Sequence, residues 1–262
     1  MVTIGIIGGS GLEDPKILKD AKELIVTTPF GKPSSPLTIG KIRGVDVAIL
    51  SRHGGKHEIM PTNVPNQANI RALKDIGCTH ILATSACGSL REGIHPGDFV
   101  VVDQFIDRTT KRAATFFEKG HVCHIPMADP FCVGLREVLF SSCKELKFRA
   151  HEKGTVITIE GPRFSTRAES RLWIQWNADV VNMSTVPECV LAREIGMCYA
   201  VVCMATDYDC FREGRRVDIG EVMEVFKENA ERVKTLLVHA VSKIKDDPAC
   251  VCRTDCKSAV IS

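Results

Sequence analysis

The sequence of 262 residues contains little that would place it outside the ordinary soluble proteins. No apolar run approaches the ~18 residues of a membrane-spanning helix. The net charge is only +2, which predicts no preference for nucleic acids or membrane surfaces. The first residues, "MVTIGIIGGSG", lack the basic segment and the small-residue cleavage site of a secretory signal peptide. We therefore expect a cytoplasmic protein.

Glutamine is scarce, whereas cysteine is abundant. Glutamine occurs only at Gln67, Gln104 and Gln175, and scarce glutamine is one tendency of thermophilic proteins. The 12 cysteines are unusual for a cytosolic protein, because structural disulfides inside cells are mainly a feature of hyperthermophiles. These observations suggest an intracellular protein from a hot environment in which some cysteines are paired.

The stretch "IGIIGGSGL" lacks the third glycine of a dinucleotide-binding motif. Gly9 and Gly11 would begin the pattern G-x-G-x-x-G, but Asp14 stands where the last glycine belongs. A strand followed by a glycine turn instead suits a plain tight turn or an anion cradle of backbone N–H groups, completed by the Ser10 hydroxyl.

Strand-like apolar runs recur along the chain, and helical patterns separate several of them. The runs cover residues 2–7, 45–50, 79–84, 98–102, 154–159, 179–183 and 198–205. The helical patterns cover residues 66–76, residues 129–146 with Asp129 as N-cap and Pro130 in the first turn, and residues 222–244. This alternation predicts one α/β domain with a central mixed β-sheet flanked by helices. We place that domain at residues 1–247 and a separate cysteine-containing tail at residues 248–262.

Several predicted strands end in groups that suit an oxyanion. Ser10 follows the first strand, Arg52 and His53 follow the strand 45–50, and Ser85 and Ala86 follow the strand 79–84. A guanidinium offers a fixed fork of donors that matches phosphate oxygens, and small residues let backbone amides approach a ligand. These strand ends therefore predict a phosphate site, because open α/β sheets bind ligands beyond the carboxyl ends of their strands.

Two further strand ends carry a different chemistry. Met183 and Ser184 close the strand 179–183, while Asp207 and Asp209 close the strand 198–205. The Ser184 hydroxyl adds to the phosphate-suited groups, and paired acids suit a nitrogenous base with N–H donors. Both kinds of group together predict an enzyme that brings phosphate to a nucleoside.

Metal sites are less well supported by the sequence. "HGGKH" spaces two histidines by four residues, but its glycines argue against the helix that would align them. "CVCRTDC" in the tail holds only three thiols with no histidine nearby, so a disulfide or redox role is favoured there over zinc. Cys87 is favoured as a small buried residue over a nucleophile. We expect no metal and no cofactor.

Eight stretches, taken together, resemble the 5′-methylthioadenosine phosphorylases, a family within the purine nucleoside phosphorylases. They are "IGIIGGSGL", "SRHG", "TSACGSLRE", "PGDFVVVDQFIDRTT", "CHIPMADPFC", "TIEGPRFSTRAES", "NMSTVPE" and "MATDYDC". The resemblance implies an α/β fold of the nucleoside phosphorylase type and a homotrimer, and a hexamer formed as a dimer of trimers is also plausible. It implies phosphorolysis of 5′-methylthioadenosine in purine and methionine salvage, with adenosine also accepted and inorganic phosphate as co-substrate.

The resemblance also implies roles for particular residues. The phosphate site would consist of Ser10, Arg52, His53, Ser85, Ala86 and Ser184. The nucleoside site would consist of Met183 under the ribose, Phe164 and Ser165 beside the base, Asp207, Tyr208 and Asp209 at the base edge, Ile219 and Val222 at the methylthio group, and His124 from a neighbouring subunit. Asp207 and Asp209 would be the catalytic acids.

The cysteines outside the family-like stretches are the first candidates for disulfides. They are Cys143, Cys189, Cys203, Cys250, Cys252 and Cys256. Three other functions remain open: a phosphorylase of 6-oxopurine nucleosides or of broad range, a hydrolytic nucleosidase, and a non-catalytic nucleotide-binding or redox module whose active part is the tail.

Overall fold

The computed structural model describes residues 3–8, 17–118, 120–214 and 217–261. They form a single α/β domain in which helices flank a mixed central sheet, and this confirms the predicted fold class. None of the helices in these ranges is long and apolar enough to cross a membrane.

Within the described ranges, eleven strands form the central sheet and two form a separate pair. The central strands are β1 (Thr3–Gly8), β2 (Lys19–Leu24), β3 (Leu37–Ile42), β4 (Val45–Ser51), β5 (His80–Ser89), β6 (Phe99–Val101), β7 (Gln104–Arg108), β9 (Ala150–His151), β10 (Thr155–Ile159), β11 (Val180–Asn182) and β12 (Cys198–Asp207). The separate antiparallel pair consists of β8 (Val122–Cys123) and β13 (Val260–Ile261).

The helices cover both faces of this sheet. They are α1 (Asn66–Asp75), α2 (Val133–Glu145), α3 (Arg167–Gln175), α4 (Thr185–Glu194), α5 (Ile219–Val241) and α6 (Val251–Thr254). The last long helix, α5, begins at its N-cap Asp218, whose side chain accepts hydrogen bonds from the backbone N–H groups of Gly220 and Glu221. Its buried face packs with α2 against β12.

The order of the strands brings several carboxyl ends to one edge. β5 pairs in parallel with β1 and with β12, and β1 pairs in parallel with β4. The ends of β4, β5 and β12 therefore face the same side of the sheet. β11 runs antiparallel to the far end of β5, with Val181 opposite Gly88, so the residues after β11 run back along β5 towards Ser85.

The seven predicted strands are all present, but the prediction ended two of them too early by at least two residues, since β12 continues to Asp207 and β5 extends well beyond Thr84. Ala86, Cys87 and Gly88 belong to β5, which continues to Ser89 instead of turning after Thr84. These small residues remain extended because β12 pairs with the strand as far as Gly88, which lies opposite Asp207. The start predicted for the second helix is also wrong, since Cys132 and not Asp129 occupies the N-cap of α2.

The predicted disulfides are not found. All twelve cysteines are free thiols. Three of the suspected residues, Cys143, Cys189 and Cys203, are fully buried within the hydrophobic core, where each acts as a small apolar side chain. The segment after Pro248 packs onto the domain, because β13 pairs with β8 and Cys252 is only 2% exposed.

Truncation of Leu237 tests the packing of α5. Its side chain is fully buried, so Leu237→Ala removes apolar contacts and leaves a cavity. We expect the free energy of unfolding in urea to fall by about 2–5 kcal/mol. The exposed Glu228→Ala on the same helix is the matched control and should change it by less than about 0.5 kcal/mol. Equal effects of the two substitutions would contradict this packing.

Candidate active site

A cavity of about 460 Å³ lies where the strand ends meet. Its wall is built by residues that follow β4, by the second half of β5, by the residues around the ends of β11 and β12, and by one face of α5. Of the predicted site residues, twelve line it: Arg52, His53, Ser85, Ala86, Phe164, Ser165, Met183, Ser184, Asp207, Asp209, Ile219 and Val222. The sheet therefore brings together the anion-suited groups and the paired acids.

Arg52 is a buried cation fixed by a carboxylate that the sequence analysis missed. Its Nε lies 2.5 Å from Glu188 Oε1 and its Nη2 lies 3.0 Å from Glu188 Oε2, while Nη1 donates to the Thr84 carbonyl at 2.8 Å. Tyr199 donates its hydroxyl to Glu188 Oε2 at 2.8 Å. Burial alone would lower the pKa of Arg52, but Glu188 raises it, so the guanidinium stays charged.

The geometry leaves part of the Arg52 donor set for a ligand. A guanidinium carries five N–H groups in a rigid fork, and the bonds to Glu188 and Thr84 use three of them. Arg52 also lines the cavity. An oxyanion at this end of the cavity would meet a charged fork that is already held in position.

His53 is a neutral imidazole beside this cation. Burial and then the charge of Arg52 lower the pKa of His53 to about 4. Its Nδ1 lies 2.8 Å from the carbonyl oxygen of Ile59, so Nδ1 carries the proton and donates it there. Nε2 consequently holds a lone pair, which can accept a hydrogen bond from a hydroxyl of a phosphate or a sugar.

Two hydroxyls complete the anion-suited end. The oxygen atoms of Ser85 and Ser184 lie 2.8 Å apart, and Asn182 donates to the Ser85 hydroxyl at 3.0 Å. Asn182 is itself held by Thr185 at 2.6 Å and by Thr158 at 2.9 Å. This buried network holds the serine hydroxyls in position, and either serine can be the donor in the bond between them. The sequence analysis had not identified Asn182 as a residue of the site.

The two acids stand at the opposite side of the cavity. Burial, aided by the negative charge of Asp209, raises the pKa of Asp207 to about 6, although the Thr206 hydroxyl bonded to Oδ1 at 2.7 Å opposes this. Burial also raises the pKa of Asp209, whose Oδ2 has no hydrogen-bond partner among the described residues. A buried carboxyl oxygen without a partner is costly, and a ligand that donates a hydrogen bond would relieve that cost.

Gly88 sets the distance between β5 and these acids. A Cβ atom placed on Gly88 would lie 3.3 Å from Asp207 Oδ2 and 3.3 Å from the Cβ of Asp209. A side chain at this position would press on both residues, and glycine allows this close approach.

The middle of the cavity is apolar. The sulfur of Met183 lies against Gly161, where a Cβ atom would come within 2.5 Å of it. Phe164 is 45% exposed at the rim, and the hydroxyl of Ser165 accepts a hydrogen bond from the Trp173 indole at 3.3 Å. These side chains offer van der Waals surface and few charges, as expected for the walls around a sugar and a planar base.

One face of α5 forms the outer wall. Ile219, Val222, Met223, Phe226 and Ala230 follow the helical period and all line the cavity. Ile219 and Met223 are 60% and 44% exposed, so the mouth of the cavity is apolar and open. A small apolar group such as a methylthio group would find matching surface there.

Two of the predicted site residues that the structure describes do not line this cavity, and a third, Ser10, lies outside the described residues. Tyr208 is not among the lining residues, and its ring packs 3.4 Å from the guanidinium carbon of Arg212. His124 is exposed beside the C-terminal segment, where its backbone N–H donates to the carbonyl of Ala259 at 2.8 Å. Within one chain His124 is thus remote from the cavity.

The chain matches a family model over almost its whole length. The Phosphorylase superfamily model aligns with residues 3–242. The chain is 57% identical to the S-methyl-5′-thioadenosine phosphorylase of Danio rerio, covering 93% of this chain and 89% of that protein. It is 50% identical to the enzyme of that name from Drosophila melanogaster, covering 99% and 95%.

Solved structures agree with this match. The methylthioadenosine phosphorylase of Schistosoma mansoni in complex with adenine aligns with a TM-score of 0.93 at 41% identity, covering 99% of this chain and 98% of that chain. A variant of the adenosine/methylthioadenosine phosphorylase of that organism, bound to methylthioadenosine, aligns with the same TM-score, identity and coverage. These relatives come from animals, so they lend no support to the expected hot environment.

The raised pKa of Asp207 predicts a pH-dependent stability. Its folded-state value of about 6 exceeds the ordinary value of 3.8, so the folded chain binds this proton more tightly than the unfolded chain. The resulting stabilisation is present below about pH 4 and is lost as the pH rises through about 6. The variant Asp207→Asn lacks this titrating group. We therefore expect the difference in free energy of unfolding, wild type minus variant, to fall by about 2–3 kcal/mol as the pH rises from about 4 to about 6.

Urea unfolding at a series of pH values would measure this difference. The exposed Asp129→Asn is the control for the loss of one carboxylate from the chain. Curves for the wild type and Asp207→Asn that stay parallel from pH 4 to pH 7 would show that Asp207 is not a desolvated acid.

Proposed function

Because the chain belongs to the phosphorylase superfamily, we propose that it catalyses phosphorolysis of 5′-methylthioadenosine to adenine and 5-methylthioribose 1-phosphate. The observation that carries this proposal is a single cavity with Arg52 and paired serine hydroxyls at one end and two desolvated acids at the other. This chain matches most of the length of relatives that are named for this reaction. The product would serve purine and methionine salvage.

Phosphate is the nucleophile in the proposed reaction. Arg52, His53, Ser85, Ser184 and the backbone at Ala86 would hold it against C1′ of the ribose, with Ser10 as a further proposed ligand. A phosphate oxygen forms a bond to C1′ while the bond from C1′ to N9 of the purine breaks. Positioning of this kind lowers the barrier because the reactants no longer lose translational freedom in the reaction.

The purine leaves with the electron pair of the broken bond, so the protein must neutralise it. The site holds a carboxyl whose pKa is raised to about 6 by burial, and a bound substrate that excludes water would favour the protonated form further. Protonated Asp207 would donate to N7, and the product then leaves as neutral adenine. Asp209, with its unpartnered Oδ2, would accept from the 6-amino group.

The same two acids would select the base. A carboxylate accepts a hydrogen bond from the 6-amino group of adenine and repels the 6-oxo oxygen of hypoxanthine or guanine. At the sugar end, the apolar face formed by Ile219, Val222 and Met223 favours a methylthio group by about 1–3 kcal/mol over a hydroxyl. Discrimination of that size leaves adenosine as a slower substrate.

The active enzyme would be a homo-oligomer in the cytoplasm, as a trimer or as a hexamer built from two trimers. The apolar mouth of the cavity is exposed in one chain, which supports cover by a neighbouring subunit. His124, which is remote from the cavity of its own chain, would reach the methylthio end of a neighbour. The reaction would need inorganic phosphate as co-substrate and no cofactor.

Release of adenine from methylthioadenosine, with and without phosphate, tests the proposed reaction. We expect turnover to require phosphate and to yield methylthioribose 1-phosphate, because the anion end of the cavity must be filled by the nucleophile. Inosine in place of methylthioadenosine is the substrate control and should react far more slowly. Adenine release at an equal rate without phosphate would instead identify a hydrolytic nucleosidase, and faster turnover of inosine would identify a 6-oxopurine phosphorylase.

Asp207→Asn tests the role of the acid. Loss of general acid assistance should lower kcat for methylthioadenosine by about 10²–10⁴-fold. Asp209→Asn should raise the ratio of inosine to methylthioadenosine turnover, because Asp209 faces the 6-position in this proposal and an amide can donate to a 6-oxo group. Steady-state kinetics beside the exposed Asp129→Asn control measure both effects. An unchanged kcat would remove Asp207 from the mechanism.

A further inference from the structure

Four cysteine sulfurs converge at a place remote from the candidate active site. Cys132 stands at the start of α2, Cys198 is the first residue of β12, and Cys250 and Cys252 belong to the C-terminal segment. Their Sγ atoms all lie within 4.8 Å of one another, and those of Cys132 and Cys250 are 4.0 Å apart. None of the four lines the active-site cavity.

We propose that Cys132, Cys198, Cys250 and Cys252 form a four-thiolate zinc site that fastens the C-terminal segment to the domain. This proposal is independent of the proposed reaction. It also revises the preference against a tail metal, which rested on the three thiols visible in "CVCRTDC". The fold supplies the ligands that the tail lacks, from positions more than a hundred residues earlier in the case of Cys132.

The spacing of the sulfurs fits tetrahedral coordination. A zinc–sulfur distance of about 2.3 Å places the four sulfurs of a regular tetrahedron about 3.8 Å apart. The observed separations need a contraction of at most about 1 Å to reach that geometry. Four sulfurs in a compact group select zinc or iron–sulfur chemistry, and a single-ion site with four cysteines is the commonest structural form of zinc.

The environment is closed, as a structural zinc site requires. Cys132, Cys198 and Cys252 are buried and Cys250 is half-buried. The backbone around them is also fixed: Cys132 donates its N–H to the carbonyl of Tyr199 at 2.8 Å, and Arg253 donates to that of Cys250 at 2.8 Å. Water would have little access to the metal, so the site has no open position for catalysis.

A buried arginine next to the cluster supplies countercharge. Zinc with four thiolates carries a net charge of −2, which is costly in a dry setting. Arg193 is only 3% exposed and interacts with Cys252, while its Nη2 is bonded to Asp255 at 2.8 Å. Its Nε and Nη1 have no hydrogen-bond partner among the described residues. Those donors are available to the thiolates of a loaded site.

Two more cations lie near the cluster. Lys74 is close enough to Cys198 to interact electrostatically, and Arg253 adjoins Cys252 in α6 while pairing with Asp246. Asp246 and Asp255 are paired with Arg253 and Arg193, and Asp247 lies in the same segment. The donors of Arg193 and the charge of Lys74 are therefore the groups nearest the cluster that could offset thiolate charge.

Zinc binding would add a further link between the C-terminal segment and the domain. The segment already contacts the domain through the pairing of β13 with β8, through the ion pair of Arg193 with Asp255 and through the packing of α6 on β12. Loading converts four thiols to thiolates and releases four protons, so affinity should fall as the pH is lowered. The metal site would also restrict the motion of the residues around His124, whose backbone N–H hydrogen-bonds to this segment.

Metal analysis of the full-length protein, purified under reducing conditions without chelator, tests the proposal. We expect about one zinc ion per chain by mass spectrometry, and less than about one tenth of that in Cys252→Ser and in Cys198→Ser. Cys256→Ser is the matched control, because Cys256 lies in the same segment but outside the cluster, and it should retain the metal. Cobalt substituted for zinc should give the visible absorption of tetrahedral thiolate coordination in the wild type and in Cys256→Ser only.

Thermal unfolding provides a second readout that does not depend on the catalytic reaction. Removal of the metal by a chelator should lower the Tm of the wild type and of Cys256→Ser, but not that of Cys252→Ser. A wild type with less than about one tenth of a metal ion per chain after reconstitution with zinc would overturn the proposal. Equal metal content in all variants, or a disulfide among the four cysteines in the reduced preparation, would also overturn it.

Discussion

The candidate site depends on the buried ion pair between Arg52 and Glu188. It joins the end of β4 to α4, which lies 136 residues further along the chain, and Tyr199 extends the contact to β12, so one carboxylate fixes three elements. Breaking a buried pair by removing one partner typically costs about 3–5 kcal/mol, because the other charge is left uncompensated. The pair lets a charged guanidinium stay in a dry cavity before any anion arrives.

The two ends of the cavity solve the problem of buried charge in opposite ways. At the anion end, Glu188 balances Arg52, so the site is neutral overall and still offers oriented donors. At the other end, burial raises the pKa of Asp207 and of Asp209, which favours their protonated forms. The end at Arg52 can therefore hold a negative charge, and the end at Asp207 can give up a proton. Nucleoside phosphorolysis needs both.

The sequence predicts the groups that would contact a ligand better than the residues that hold those groups in position. Arg52, Ser85 and Asp207 were predictable because each follows or closes an apolar, β-branched run, and parallel strands deliver such residues to one edge. Glu188 and Asn182 were not, because their partners lie 136 and 97 residues away and no local pattern marks the contact. The cysteine cluster was missed for the same reason, and the full length of β5 became evident only from its pairing with β12.

The absence of a side chain at Gly88 has a consequence for how this kind of enzyme can diversify. A methyl group there would press on Val181, on the Asp207 carboxylate and on the Cβ of Asp209, so the backbone at Gly88 limits how closely β5 can approach the two acids. An exchange of either acid for an amide keeps the size of the side chain and leaves this spacing unchanged. Under the proposed roles of these acids, new base preferences are accessible by single steps at positions 207 and 209, whereas the shape of the compartment is inherited almost unchanged.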